Sequence, residues 1–349
     1  MSNPYTLVFG QPPVELIERS AQADRIISEF AQETPANRIN LITGIRGCGK
    51  TVFITRVAER MKTGKQWIVV DLNAQRDLLH SLAAKLNSHQ SLQKLFRLEE
   101  INLQAFGLGV GIKGVPPIDD IEEALIRMLR VIDRQGKRVL ITIDEAVNSR
   151  EMRIFASAFQ IFLRERLPVF LLMTGLYKSI DSLRNAEGMT FLERAPRTVL
   201  VPLDFEAMTE KYQETLGIGQ DEAARLAAAT KGYSFAFQVF GYYSFENPGN
   251  TRKVREEALA YLNEFAYRKI WSELSRKDRE VAAAMAKVPG GEVFEIRSVL
   301  NYTTNQFNPY RERLLKAGVA MSRGTGNLEF ALPGFEEFVK AAAAVKTGE

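Results

Sequence analysis

The sequence predicts an α/β protein built on a mainly parallel sheet, followed by a helical segment and a C-terminal run of three helices and a hairpin. Three observations carry this expectation. The aliphatic run Arg38-Ile39-Asn40-Leu41-Ile42-Thr43 passes straight into glycines and then into helically spaced apolar residues. A second run, Arg138-Val139-Leu140-Ile141-Thr142-Ile143, ends in Asp144-Glu145. Further short apolar runs at 66–70, 168–173 and 197–201 alternate with helical patterns over 119–135 and 150–166. Short buried strands alternating with helices are the pattern of βαβ units.

The first of these junctions carries chemistry. Gly44-Ile45-Arg46-Gly47-Cys48-Gly49-Lys50-Thr51 fits G-x-x-x-x-G-K-[ST], and it stands where that motif must stand, after a strand and before the helical run that begins at Val52. Gly44, Gly47 and Gly49 let the backbone curl so that successive N–H groups face one phosphate. The helix N-terminus beyond adds a partial positive charge. Lys50 is expected to reach the β- and γ-phosphates of ATP, and the Thr51 hydroxyl to ligate Mg²⁺. Residues 44–52 therefore form the expected cofactor-binding segment. Cys48 stands where a small residue is common, and a thiol reagent that reached it should block ATP binding.

The acidic end of the second run resembles a Walker B segment. Asp144 is expected to hold Mg²⁺ through its water shell, and Glu145 to orient or deprotonate the attacking water. The alternative is a strand followed by a solvated acidic turn. A pair of adjacent acids suits attack by water better than transfer to an acceptor, which argues against a small-molecule kinase.

Bulk properties exclude several classes. The 349 residues suffice for two or three domains, with 46% hydrophobic and 25% charged residues. No run approaches the ~18–20 apolar residues of a membrane span, and the N-terminus lacks the pattern of a signal peptide. One cysteine and two histidines cannot build a disulfide framework or a zinc site of the usual type. A cytoplasmic protein without a membrane partner is expected. The net charge of +4 is only mildly basic and favours an anionic partner weakly.

The order of these motifs resembles the AAA+-related ATPases, in particular the origin-recognition initiators and the neighbouring archaeal-type and STAND ATPases, over about residues 12–340. The resemblance implies further roles. Arg19, in the segment ahead of the loop, falls in the adenine-cradling region. Thr174, at the tip of the run 168–173, falls at the sensor-1 position beside the γ-phosphate, where the initiators often carry asparagine. Arg194 or Arg197 falls where the family carries an arginine finger that completes a neighbouring subunit's site, which implies an ATP-dependent homo-oligomer. Thr230-Lys231-Gly232-Tyr233-Ser234-Phe235 resembles the glycine-x-proline turn of the STAND group with the proline replaced, and no sensor-2 arginine stands there.

The remaining segments are read from their patterns. Phe106-Gly107-Leu108-Gly109-Val110-Gly111 looks like a nucleotide fingerprint, but Pro116-Pro117 replaces the helix that should follow, so a hairpin or loop is expected. From 204 to 266 the pattern is helical, with Phe205, Met208, Tyr212 and Leu216 on one face and Ala224, Leu226 and Ala227 on the next helix. Helices over 275–287, 292–300 and 304–317 precede a hairpin whose turn contains Arg323-Gly324-Thr325-Gly326-Asn327. That is the outline of a winged helix-turn-helix, as in the initiators' C-terminal domain. Its third helix would enter the major groove of double-stranded DNA, with Asn305, Gln306, Asn308, Arg311 and Arg313 meeting bases or phosphates and Arg323 reaching a phosphate from the wing.

The expected organisation is a P-loop ATPase domain over 1–203, a helical lid over 204–270 and a winged helix over 271–349. The expected function is slow, Mg-dependent ATP hydrolysis whose nucleotide state controls DNA binding. The alternative is a STAND-like signalling or scaffold ATPase whose winged helix contacts protein.

Overall fold

The computed structural model describes residues 2–7, 13–108, 112, 114–324 and 326–344. Much of the glycine-rich segment, namely Gly109, Val110, Gly111 and Lys113, lies outside the described residues, as do Pro12 and Thr325. The chain divides into two compact units: 20–43 with 50–199, and 1–19 with 44–49 and 200–349. The unit boundaries thus bracket the glycine loop, between 43 and 44 and between 49 and 50.

The first unit is a parallel sheet with helices. Five strands, β1 (Ile39–Thr43), β2 (Trp67–Asn73), β3 (Arg138–Asp144), β4 (Val169–Gly175) and β5 (Arg197–Val199), lie in the order β2-β3-β4-β1-β5. Every pairing is parallel. All residues of β1 and β4 are buried, which is why these strands read as continuous apolar runs. β4 lies between β1 and β3, with Ile42 opposite Thr174 and Met173 opposite Ile143. The C-terminal ends of all three strands therefore converge, the place where open parallel sheets bind ligands.

Helices α1 (Ser20–Ala31), α2 (Lys50–Lys62), α3 (Leu78–Ser88), α4 (Gln90–Leu98), α5 (Ile121–Arg134) and α6 (Arg150–Arg164) belong to this unit, with the shorter α7 (Tyr177–Arg184) and α8 (Thr190–Glu193) before β5. Their starts follow from local chemistry. Asp77, Asp120 and Ser149 each accept a backbone N–H three residues on, satisfying donors that a helix start leaves open. One core, including Leu82, Leu129, Ile141, Phe155, Phe159 and Leu171, fills the unit.

The second unit carries α9 (Phe205–Leu216), α10 (Gln220–Ala229), α11 (Ser234–Glu246) and α12 (Thr251–Leu262). Met208 and Tyr212 of α9 are buried, but Phe205 is 48% exposed, so the predicted face begins at Met208. On α10 the buried pair is Ala223 and Ala227, one register from Ala224. The Tyr212 hydroxyl donates to the Phe237 carbonyl at 2.7 Å, and Tyr5 packs edge-on against Phe237. Gly241 makes room for Tyr5, since a Cβ there would lie 2.4 Å from the Tyr5 ring.

Past α12 the helix continues through a π-turn, Asn263–Tyr267, into α13 (Arg268–Glu273). Three helices follow, α14 (Arg276–Met285), α15 (Val293–Leu300) and α16 (Thr304–Lys316). The antiparallel pair β6 (Ala320–Arg323) and β7 (Asn327–Phe330) comes next, then α17 (Phe335–Ala344). Thr303 and Gln306 form a reciprocal capping box that starts α16. Among the described residues no helix is long and apolar enough to cross a membrane.

Candidate functional site

The ends of α2, β3 and β4 bring four predicted residues together. Thr51, in the first turn of α2, donates its hydroxyl proton to Asp144 Oδ2 at 2.6 Å. The Thr174 hydroxyl donates to the other oxygen, Asp144 Oδ1. The Glu145 N–H donates to both Asp144 Oδ1, at 3.1 Å, and Thr174 Oγ1, at 3.2 Å. Thr174 is fully buried and its one proton goes to Asp144, so it fixes the carboxylate and the start of the next turn at once.

Glu145 itself is exposed and has φ of 53°. A non-glycine residue in the left-handed region is strained, and such strain gathers at functional positions. Here the hydrogen bonds to Glu145 N–H, and that from Ala146 N–H to the Thr174 carbonyl at 2.7 Å, hold the turn. The result points the Glu145 side chain away from the sheet core and into solvent. Lys50 and Val52 are half-buried at the start of α2.

The glycine loop is held within the second unit. Cys48 is 7% exposed and its thiol packs over Gly44, where a Cβ would lie 2.5 Å from the sulfur. Gly47 and Gly49 have φ of 77° and 92°, as a curled loop requires. Cys48 N–H closes a turn onto the Ile45 carbonyl at 3.2 Å. The Arg46 guanidinium pairs with Glu273 of α13 at 3.2 Å. Arg19 is half-buried, donates to the Val201 carbonyl at 2.8 Å and to Ser234 Oγ at 3.0 Å, and burial lowers its pKa. Three residues absent from the sequence-based site, Tyr233, Ser234 and Phe235, contact the loop's carbonyls. The only signal for them was the turn at 230–235.

The two arginines considered as fingers differ. Arg194 is exposed at the C-cap of α8. Arg197 is half-buried, stacks 4.5 Å above the Tyr177 ring and pairs with Asp181 at 3.3 Å.

The residues considered for DNA are also in different states. Asn305 and Asn308 are exposed on α16. Gln306 is engaged in the capping box. Arg311 reaches Ser322 Oγ at 3.3 Å. Arg313 binds the buried Asp278 through Nε at 3.0 Å and Nη2 at 2.7 Å and lies 4.7 Å over the Tyr310 ring. Arg323 is exposed at the β6–β7 turn, 3.4 Å from Glu329.

The sheet unit has the α/β fold of a P-loop ATPase domain, similar to that of the origin-recognition initiators. Residues 21–166 match a family described as an ATPase domain predominantly from Archaea, and residues 264–339 match a domain of unknown function, DUF8462. The Walker-type ATPase of Pyrococcus abyssi has a similar fold, with 15% identity, a TM-score of 0.66, and coverage of 93% of this chain and 96% of that one. The ORC2 protein of Aeropyrum pernix, in its ADPNP–ADP complexes, gives 15% identity, a TM-score of 0.54 and 98% coverage of both chains. At such identities the likeness is one of fold. No curated protein matches the sequence.

Proposed function

We propose that this chain binds Mg-ATP through residues 44–52, hydrolyses it slowly, and uses its nucleotide state to control binding to double-stranded DNA. The observation that carries the ATPase reading is the Thr51–Asp144–Thr174 cluster beneath an exposed Glu145. Thr51 and Asp144 supply two hard oxygens 2.6 Å apart. Among the described residues no group of three or more His, Cys, Asp or Glu could hold a metal alone. Such a sparse oxygen set suits Mg²⁺, which keeps waters and takes further ligands from phosphates. Bound there, it would neutralise charge on the β- and γ-phosphates.

The protein's own groups divide the remaining work. Lys50 meets the β- and γ-phosphates, Arg19 lies on the adenine side, and Glu145 orients the attacking water. Thr174 keeps Asp144 and the Glu145 backbone in place. Of the two candidate fingers, Arg194 is the better suited to reach a second copy, because Arg197 is held by Asp181 and Tyr177. Residues 204–270 act as a lid and 271–349 as a winged helix. A buried lone cysteine fits a cytoplasmic setting.

For DNA, the order of three helices and a hairpin supports α16 as the reading helix. Asn305 and Asn308 are placed for base edges and Arg323 for a phosphate, whereas Arg311, Arg313 and Gln306 would first have to leave their present partners. The second reading, a STAND-like ATPase whose C-terminal segment meets protein, is favoured by Phe294 of α15, which is 69% exposed.

Fluorescence anisotropy with Glu145→Gln protein, across a salt series and with or without Mg-ATP, tests the proposal. The expected result is affinity that rises with ATP and falls steeply with salt. Absence of binding at low salt in either state rejects the DNA role and leaves the protein-contact reading.

A further inference from the structure

The first residues of α11 grip three consecutive carbonyls of the glycine loop. Tyr233 Oη donates to the Arg46 carbonyl at 2.7 Å. The Phe235 N–H donates to the Gly47 carbonyl at 3.1 Å. Ser234 Oγ donates to the Cys48 carbonyl at 2.9 Å. The Cys48 carbonyl can only accept, and Arg19, which donates to Ser234 Oγ at 3.0 Å, can only donate, so the Ser234 proton is free for the carbonyl. Tyr233 is 5% exposed, and burial raises its pKa, so its hydroxyl remains a donor at neutral pH.

These bonds orient the loop. A trans peptide is planar, so its N–H points opposite to its C=O. Holding the Arg46 and Cys48 carbonyls on the α11 side turns the N–H groups of Gly47 and Gly49 to the other side. Those are the two positive-φ glycines of the loop, the geometry from which anion-binding nests are made. The same contacts complete the helix. Tyr233, at the N-cap, makes no side-chain cap bond, and the Gly47 carbonyl takes up one of the donors that a cap would otherwise satisfy.

We propose that Tyr233, Ser234 and Phe235 are positioning residues for the nucleotide phosphates, fixing the loop's peptide planes so that its N–H groups face the triphosphate. The proposal rests on reading residues 44–51 as the phosphate-binding loop. It assigns to side-chain and backbone donors at the start of a helix a task that they perform without touching the ligand. Because coupling is reciprocal, phosphate in the loop should in turn steady the start of α11.

The test uses the full chain as Tyr233→Phe, Ser234→Ala and the double variant, with Ser234→Thr as the conservative control. Binding of Mg-ATP and of inorganic tripolyphosphate is measured beside the melting temperature. Each single variant should lose about fivefold in affinity for both ligands, the range expected for one hydrogen bond. The double variant should lose more than tenfold, and Ser234→Thr should retain affinity. Wild-type affinity in the double variant, or a loss confined to the melting temperature, overturns the proposal. Amide exchange on the wild-type protein gives a second readout, in which Mg-ATP should slow exchange at 235–238 by tenfold or more. Unchanged exchange at saturating ATP also overturns it. Failure of the underlying reading shows separately, as Lys50→Ala protein that binds ATP normally.

Discussion

Thr51 and Asp144 stand 93 positions apart in the chain and share a 2.6 Å hydrogen bond that ties the first turn of α2 to the end of β3. Asp144→Asn keeps the shape and removes the charge. It is expected to weaken Mg-dependent ATP binding about tenfold or more, a change of ~1.4 kcal/mol, while leaving Mg-free binding near wild type. Titration with and without EDTA checks this, and an equal loss in both conditions contradicts it.

Glu145→Gln should bind ATP with wild-type affinity and lose hydrolysis by about a hundredfold or more, the scale of a lost general base. Phosphate release and equilibrium binding on one preparation separate the two effects. Wild-type turnover would remove Glu145 from the chemistry.

Thr174→Val is nearly isosteric but deletes both the donor to Asp144 and the acceptor for Glu145 N–H. The Glu145 N–H keeps Asp144 Oδ1 as its partner, so the loss is chiefly that of one hydrogen bond to a carboxylate, about 1.5–3 kcal/mol. A lower unfolding midpoint in denaturant, with slower turnover, is the expected pair of results. An unchanged midpoint would mean that water replaces the hydroxyl without cost.

On the C-terminal helices, Arg313 and Arg323 should behave differently. Arg313→Ala strips the buried Asp278 of its charged partner and leaves it only the Ser275 hydroxyl, so stability should fall by about 1–3 kcal/mol together with any DNA affinity. Arg323→Ala should leave stability intact and lower the slope of log affinity against log salt by about 1. Thermal melts and a salt series distinguish the two, and a stability loss in Arg323→Ala contradicts the assignment.

Alkaline pH should unfold the protein steeply. Burial raises the pKa of Tyr212, Tyr233 and Tyr267, so above about pH 10 the unfolded tyrosines ionise while the folded ones keep their protons. The folded state then binds more protons, and stability falls as pH rises, by about 1.4 kcal/mol per pH unit for each such tyrosine. Below pH 10 this stability is fully present. Melting temperatures from pH 8 to 11 should be level and then drop, and Tyr267→Phe should make the drop shallower.

Much of the sheet unit was legible because its signals are local. The apolar runs that became β1, β3 and β4 end at the residues proposed to carry chemistry, and the spacing from Gly44 to Thr51 fits a well-known phosphate-binding motif. What stayed hidden depends on distant partners. Tyr233 and Ser234 reach carbonyls 187 and 186 positions away, and a bond to a backbone carbonyl leaves no residue-type signature at the acceptor. The occupied state of Arg313 was equally invisible, since Asp278 lies 35 positions upstream on another helix. Phe205 misled because helical spacing marks a face but cannot say at which turn burial begins.

The grip of α11 on the carbonyls of Arg46, Gly47 and Cys48 makes the glycine loop a poor candidate for transplantation. An engineer who spliced residues 20–199 onto a foreign helical partner would carry over every letter of the motif and leave behind the donors that hold its backbone. A working chimaera would need the 233–235 tripeptide to travel with the loop, as one cassette assembled from two distant stretches of the chain.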